Sequence, residues 1–416
     1  MFGRKSIGDV FTPRNSNVNP KMYIERVRLE KGLTRSINGS MHSFLFGESG
    51  TGKSWLYKKV FGHNKINYVV ANCASASIKK SISDEIFSVC MQSGESEKQS
   101  YSESKEAGIE FGATAKIKHQ GDYTIIQKDD LVKAFESLNK KSSGEKSVLV
   151  FDNLETIFKS EELMSELSDI IILLDDDRYA KFNVKFLIVG VPNDAIKYFS
   201  SSKNTSSVGN RIEEVERVTG FDFPKVLDLI QRGFVEELNV DLSEVQAKRL
   251  AVHIHNITLG IPQRVHEYCE ALAYEIEDND WVYSADLFEY ADRSWLLKGL
   301  RECYSTIEKC LNSEGTLDGR RNQVIYALGK NSTHQIDTNK MGEIIREGFP
   351  TTAPESNSGI GQVLSNLSKG DNPVLHKISN SNAYAFTDPR YIMCIRVMLY
   401  KDIETEAVRK KSFSLT

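Results

Sequence analysis

Residues 42–54 read His42-Ser-Phe-Leu-Phe-Gly47-Glu48-Ser49-Gly50-Thr51-Gly52-Lys53-Ser54. A short apolar run meets a glycine-rich turn, and a lysine and a serine follow at once. The apolar run predicts a buried strand. Glycine adopts backbone angles that other residues resist, so Gly47, Gly50 and Gly52 allow N–H groups to turn inward and form an anion cradle. A helix beginning at Lys53 would aim its positive end into the same cradle. The spacing suits the phosphates of a nucleoside triphosphate. Lys53 would reach the terminal phosphates, and the Ser54 hydroxyl would hold a divalent cation. The expected ligands are ATP and Mg²⁺, with residues 47–54 all lining the cradle.

Outward from this loop, residues 67–71, 147–151 and 185–191 also read as continuous apolar strands. Helical patterns separate them at 53–61, 78–92, 129–139 and 161–180. Trp55, Leu56 and Val60 are expected to face inward on the first of these. Ile82, Ile86, Phe87 and Cys90 share one side of the second. Unbroken apolar strands alternating with helices predict an α/β fold with a parallel sheet covered on both faces. The lead-in, 1–20, holds Pro13 and Pro20 and many Asn and Ser, and reads as extended and unpacked. A helix is expected over 20–37. Within the core, 93–104 is rich in Ser, Glu and Lys, and 109–117 alternates strictly. This predicts a surface insertion at about 93–122 ending in a β-ribbon.

Beyond about 220 the strand pattern stops. Helices are expected at 224–232, 243–255, 262–277 and 284–297, forming a small helical lid over 220–298. The stretch 299–402 combines further helices with two short apolar segments flanking Ser379-Asn-Ser-Asn382, a hairpin pattern. Helices followed by a hairpin fit a winged-helix-like domain. Residues 403–416, with Arg409-Lys-Lys411, read as a solvated basic tail.

A phosphate site needs a carboxylate at the end of a neighbouring buried strand to hold the cation. Asp152, closing Val148-Leu-Val-Phe-Asp152, is the candidate. The next residue is Asn153, whose amide cannot take a proton from water. Glu155 is the nearest carboxylate that would. The strand ending near Val191 leads to Asn193, a polar group expected beside the terminal phosphate.

The chain has 416 residues, 40% hydrophobic and 26% charged, with a formal net charge of −4. That balance argues against coating nucleic acid by bulk charge. No apolar run approaches membrane-spanning length: Ile170 to Leu174 stops at Asp175. The amino terminus lacks the apolar stretch of a secretory leader. The six cysteines are scattered without a Cys-x-x-Cys pair, so neither zinc nor disulfides are expected. A cytoplasmic location follows as the expectation.

This set of motifs resembles the AAA+ superfamily. It is similar to the bacterial branch sharing features with origin-recognition ATPases, Tn7-type transposition ATPases and STAND switch ATPases. The resemblance spans about residues 10–290. It is carried by Phe11-Thr-Pro13, Met22-Tyr23-Ile-Glu-Arg26, the glycine loop, Ala71-Asn-Cys73, Val148 to Glu155, Leu187 to Asn193, Arg211 and Gly260-Ile-Pro-Gln-Arg264. It implies that Tyr23 to Arg26 lie near adenine. It also implies that Asn193 is sensor 1, that Arg211 is a finger reaching a neighbouring subunit's γ-phosphate, and that Arg264 serves as the sensor 2 arginine. Many relatives carry glutamate where Asn153 stands, which implies slow turnover.

Two functions stay open on this reading. One is an ATP-dependent assembly switch, a homo-oligomer joined through the nucleotide site, acting on a partner protein or on DNA through the winged helix. The other is a STAND-like signalling ATPase of an antiviral defence system, with its effector on a separate chain. No nuclease, NADase or protease constellation is visible in the sequence.

Overall fold

The computed structural model of the chain describes residues 4–91, 129–191, 208–312, 320–331, 335–378 and 381–411. The expected insertion at 93–122, and Asn193, lie outside them. The chain divides into two compact units, one of residues 26–49 and 53–218, the other of residues 1–25, 50–52 and 219–416. Helices and strands are numbered in chain order, beginning with α1 (Ile7–Val10) and α2 (Val27–Asn38).

The unit of residues 26–49 and 53–218 is built on five parallel strands. They are β1 (His42–Phe46), β2 (Asn67–Asn72), β3 (Ser147–Asp152), β4 (Val184–Gly190) and β5 (Ile212–Glu214), in the spatial order β2-β3-β4-β1-β5. Alternate residues face opposite sides. Phe44, Leu149, Phe151, Phe186 and Ile188 pack on α4 (Cys73–Lys79), α5 (Ile82–Cys90), α6 (Asp130–Lys141) and α7 (Glu161–Leu173). Leu45, Val148, Val150, Leu187 and Val189 pack on α2 and α3 (Lys53–His63). Burial on both faces is why these strands read as unbroken apolar runs. The pairing register aligns their carboxyl ends: Phe46 lies opposite Gly190, Phe151 opposite Ile188, and Asn72 opposite Asp152. In open parallel sheets, ligands sit at that edge.

Several local expectations are corrected. The stretch 78–92 is two helices, because Lys80 takes the left-handed conformation at φ 57° and Ser81 caps a fresh start by accepting the Asp84 N–H at 3.1 Å. Ile78 belongs to the end of α4 and is left exposed. Likewise 161–180 breaks after α7, where Asp176 accepts the Arg178 N–H at 2.9 Å and caps the short α8 (Asp177–Ala180). On α3, Tyr57 is buried while Trp55 is only half-buried. The helix expected from residue 20 begins at Val27, since 20–22 form a turn, closed by the Met22 N–H on the Asn19 carbonyl, and Met22, Tyr23 and Ile24 are buried. Strand β5 went unread because its three residues, two of them glutamates, show no apolar run.

The other unit contains α9 (Phe223–Ile230), α10 (Glu244–Thr258), α11 (Pro262–Asp278) and α12 (Leu287–Gly299), the helices expected from sequence to form the lid. A π-helical segment, Gln231–Glu237, continues α9. Next come α13 (Arg301–Cys310), α14 (Arg320–Lys330), α15 (Thr338–Gly348), α16 (Ser358–Leu367), and the antiparallel pair β6 (Leu375–Lys377) and β7 (Tyr384–Phe386). A single bridge joins Ile336 to Tyr384. Helices α14, α15 and α16 followed by the hairpin give the element order expected of a winged-helix-like part. The unit closes with α17 (Arg390–Met398), β8 (Leu399–Lys401) and β9 (Val408–Lys410).

Two readings of the chain's ends are overturned here. The lead-in is packed: Ile7, Val10, Phe11, Met22 and Ile24 are buried in one core with the lid helices. The Phe11 ring packs tilted against Phe234, with centroids 5.0 Å apart and planes at 49°. Two prolines and three asparagines give it a loop-like composition, but a few apolar side chains suffice to dock it. The basic stretch 409–411 is not a loose terminus. Arg409 and Lys410 lie on β9, and Lys411 pairs at 3.0 Å with Asp292, a buried carboxylate that also accepts from Tyr268 at 2.9 Å.

Candidate nucleotide site

Between β1 and α3 the chain makes the tight turn that the glycines foretold. Gly50 and Gly52 have φ of +80° and +85°, a region costly for any residue with a Cβ. Gly47 donates its N–H to the Gly190 carbonyl at 3.3 Å, which fixes the loop's first residue at the carboxyl edge of the sheet. Thr51 is buried and Ser49 exposed. The Lys53 ammonium folds back on the loop, donating to the carbonyls of Gly47 at 2.8 Å and Glu48 at 3.0 Å. Burial lowers its pKa, opposed by the carboxylates of Glu155, Asp152 and Glu48 in that order. The loop lysine therefore sits in the field of three acids.

Asp152, at the end of β3, receives a hydrogen bond from the Ser54 hydroxyl at 3.2 Å and another from the Tyr57 hydroxyl at 3.3 Å, both on Oδ2. Its Oδ1 accepts the Asn153 N–H at 2.9 Å. A serine hydroxyl against a carboxylate is a pair of hard oxygen donors suited to Mg²⁺. Burial, then the Asp152 charge, pushes the Tyr57 phenol far above its ordinary value, so Tyr57 remains a donor. Cys73 is pushed up to about 12, mainly by burial and next by Asp152, which leaves an inert thiol.

Asn153 has φ 60° and ψ 43°, the left-handed region where asparagine is among the few tolerated residues. Its amide donates to Asn72 Oδ1 at 3.3 Å, tying the ends of β2 and β3 together. A 3₁₀ turn, Leu154–Thr156, follows and carries Glu155, which is exposed. The influence of Glu155 on both Lys53 and Cys73 puts its carboxylate at this edge.

The other expected residues make the following contacts, each within its own unit. Arg211 precedes β5, and its carbonyl accepts the His42 N–H at 2.7 Å, so it stands at the opposite, amino-terminal edge of the sheet. Its guanidinium pairs with Asp175 at 2.6 Å. Arg264 pairs with Glu267 at 2.6 Å on α11. Within the same unit the Gln263 N–H donates to the Gly50 carbonyl at 3.1 Å. The Tyr23 carbonyl accepts from Arg232 at 3.1 Å. Arg26 precedes α2, and its N–H donates to Glu30 at 2.8 Å.

Two residues at the site escaped the sequence reading. Tyr57 is hidden because its helical spacing matches an ordinary core position. Arg217 pairs with Glu48 of the glycine loop at 2.8 Å. A lone arginine 169 positions away in sequence offers no local pattern.

Residues 37–199 match the AAA domain family. No curated protein matches the chain. Among solved structures, the Walker-type ATPase PABY2304 of Pyrococcus abyssi is similar at 17% identity, covering 90% of this chain and 96% of that one, with a TM-score of 0.50. Cdc6p from Pyrobaculum aerophilum is 16% identical over 94% of this chain and 97% of that one, with a TM-score of 0.44. Aeropyrum pernix ORC2 is 12% identical over 90% and 94%, with a TM-score of 0.46. With its five-stranded parallel sheet and glycine loop, the chain has a P-loop AAA+ fold, its match to the AAA domain family spanning β1 to β4 and that loop.

Proposed function

We propose that this protein is an ATP-binding AAA+ switch that assembles with its own copies when ATP is bound, acts on a partner protein, and hydrolyses ATP slowly. The observation that carries the reading is the Ser54–Asp152 contact at 3.2 Å, one residue from the Lys53 ammonium and one residue before Asn153. Ser54 and Asp152 would hold Mg²⁺, which when bound offsets the charge of the phosphates. The Lys53 ammonium, now on backbone carbonyls, would exchange those partners for phosphate oxygens. Asn153 orients but cannot accept a proton. Glu155 is the carboxylate available to take one from water, and it stands on an exposed turn, which accords with slow turnover.

A protein partner is favoured over DNA by the state of the cations on the hairpin β6–β7 and on α17, the helix that follows it. Arg390 pairs with Asp388 at 2.7 Å. Arg396 is spent on the carbonyls of Gly329 at 2.6 Å and Asn256 at 2.5 Å. His376 and Lys377 on β6 remain exposed, a small footprint for a phosphate backbone.

Nucleotide titration and light scattering on the full chain test this. The native protein is expected to bind ATP with Mg²⁺ and to gain mass with ATP over ADP. Lys53→Ala should weaken ATP at least about tenfold, the worth of a charge-assisted hydrogen bond. A monomer in every nucleotide state, or rapid multiple turnover, would sink the reading. A DNA-dependent gain in mass would transfer the proposed action from a protein to DNA.

A further inference from the structure

The glycine loop carries an acid, Glu48, where a polyanion is due. Its carboxylate accepts from the Arg217 guanidinium at 2.8 Å. The backbone beside Arg217 is fixed to the same loop: the Val218 N–H donates to the Phe46 carbonyl at 2.8 Å, and Val218 bridges Gly47 in parallel. Lys53 holds the Glu48 carbonyl at 3.0 Å. Two cations thus grip one loop residue, Lys53 by its main chain and Arg217 by its side chain. The side chains of Arg217 and Glu48 are 38% and 36% exposed, so the pair adds little to fold stability. Its consequence lies in where charge stands at the mouth of the cradle.

We propose that Arg217 is a positioning residue for nucleotide binding. It holds the Glu48 carboxylate on itself and cancels its charge, so that the cradle meets a triphosphate with Lys53 unopposed from that side. This rests on the ATP reading above. Without Arg217 the carboxylate repels the ligand, and the repulsion grows with phosphate charge and shrinks with salt.

Calorimetric titration of the full chain with ATP and with ADP, both with Mg²⁺, tests it. Arg217→Gln should weaken ATP about tenfold, weaken ADP less, and lose part of that difference in high salt. Glu48→Gln should bind ATP more tightly than the native chain. The double variant should return to within about twofold of the native chain, since it removes both charges of the pair together and the two effects offset. Unchanged ATP affinity in Arg217→Gln, a double variant as weak as Arg217→Gln, or a weakened Glu48→Gln would each overturn the proposal. The Glu48→Gln arm stands even where Arg217→Gln fails to fold. A native chain that binds no nucleotide overturns the ATP reading itself, and the native arm shows it before any variant is made.

Discussion

At the residue scale, Asn153 links conformation to turnover. The Asp152–Asn153–Leu154 turn needs a left-handed residue, and asparagine supplies one with a side chain that also ties β3 to β2 through Asn72. A glutamate there would restore a base but strain the backbone, by about 1–2 kcal/mol. Asn153→Gly should leave stability nearly unchanged, within a few tenths to about 1 kcal/mol, because glycine accepts the angle but loses the amide contact. Asn153→Val should cost about 2 kcal/mol or more, since a β-branched residue fits the left-handed region worst. Urea unfolding of the two variants checks this, and equal stabilities would refute the argument. The residue type was legible in the sequence as a departure from relatives. Its cause, a φ of 60°, was not, because neighbours in sequence do not reveal the sign of φ.

At the element scale, the amino-terminal segment is the largest revision. Its composition suggested a free lead-in, yet Phe11 is fully buried against Phe234 and beside Gly233. A Cβ on Gly233 would stand 2.5 Å from the Phe11 ring, so the π-helical segment keeps a glycine where the ring sits. Phe11→Ala should destabilise the unit holding the lid by about 3–5 kcal/mol, the range for emptying a buried aromatic site. Thermal unfolding, with the nucleotide unit as internal reference, measures it. A shift of less than 1 °C would mean the segment docks without contributing. The long helices were legible from their apolar periodicity. Their breaks at Lys80 and at Asp176 were not, because a cap competes with continuation by about 1 kcal/mol, less than periodicity alone resolves.

At the scale of the whole molecule, two buried histidines set the acid limit. His266 is held down to about 4 by burial, and His42 to about 4 by burial and then by Lys185. Both ring pKa values are depressed from 6.5, so folding excludes a proton that the unfolded chain takes up. Their stabilisation is complete above pH 6.5 and is lost as pH falls towards 4, by up to about 3 kcal/mol each. Buried carboxylates such as Asp292 lose stability over lower pH ranges, so the comparison must be between variants. His266→Gln should show a smaller loss of stability between pH 7 and 4.5 than the native chain. Parallel pH profiles would mean that His266 does not titrate as its burial dictates. By itself the sequence determined the cradle, four of the five strands and the carboxylate at the end of β3, because each is written in consecutive residues with fixed chemistry. Only the tertiary structure decided that the lead-in packs, that 409–411 is tied down, and that Arg217 meets Glu48. Those outcomes depend on residues far apart in the chain, which no local periodicity can bring together.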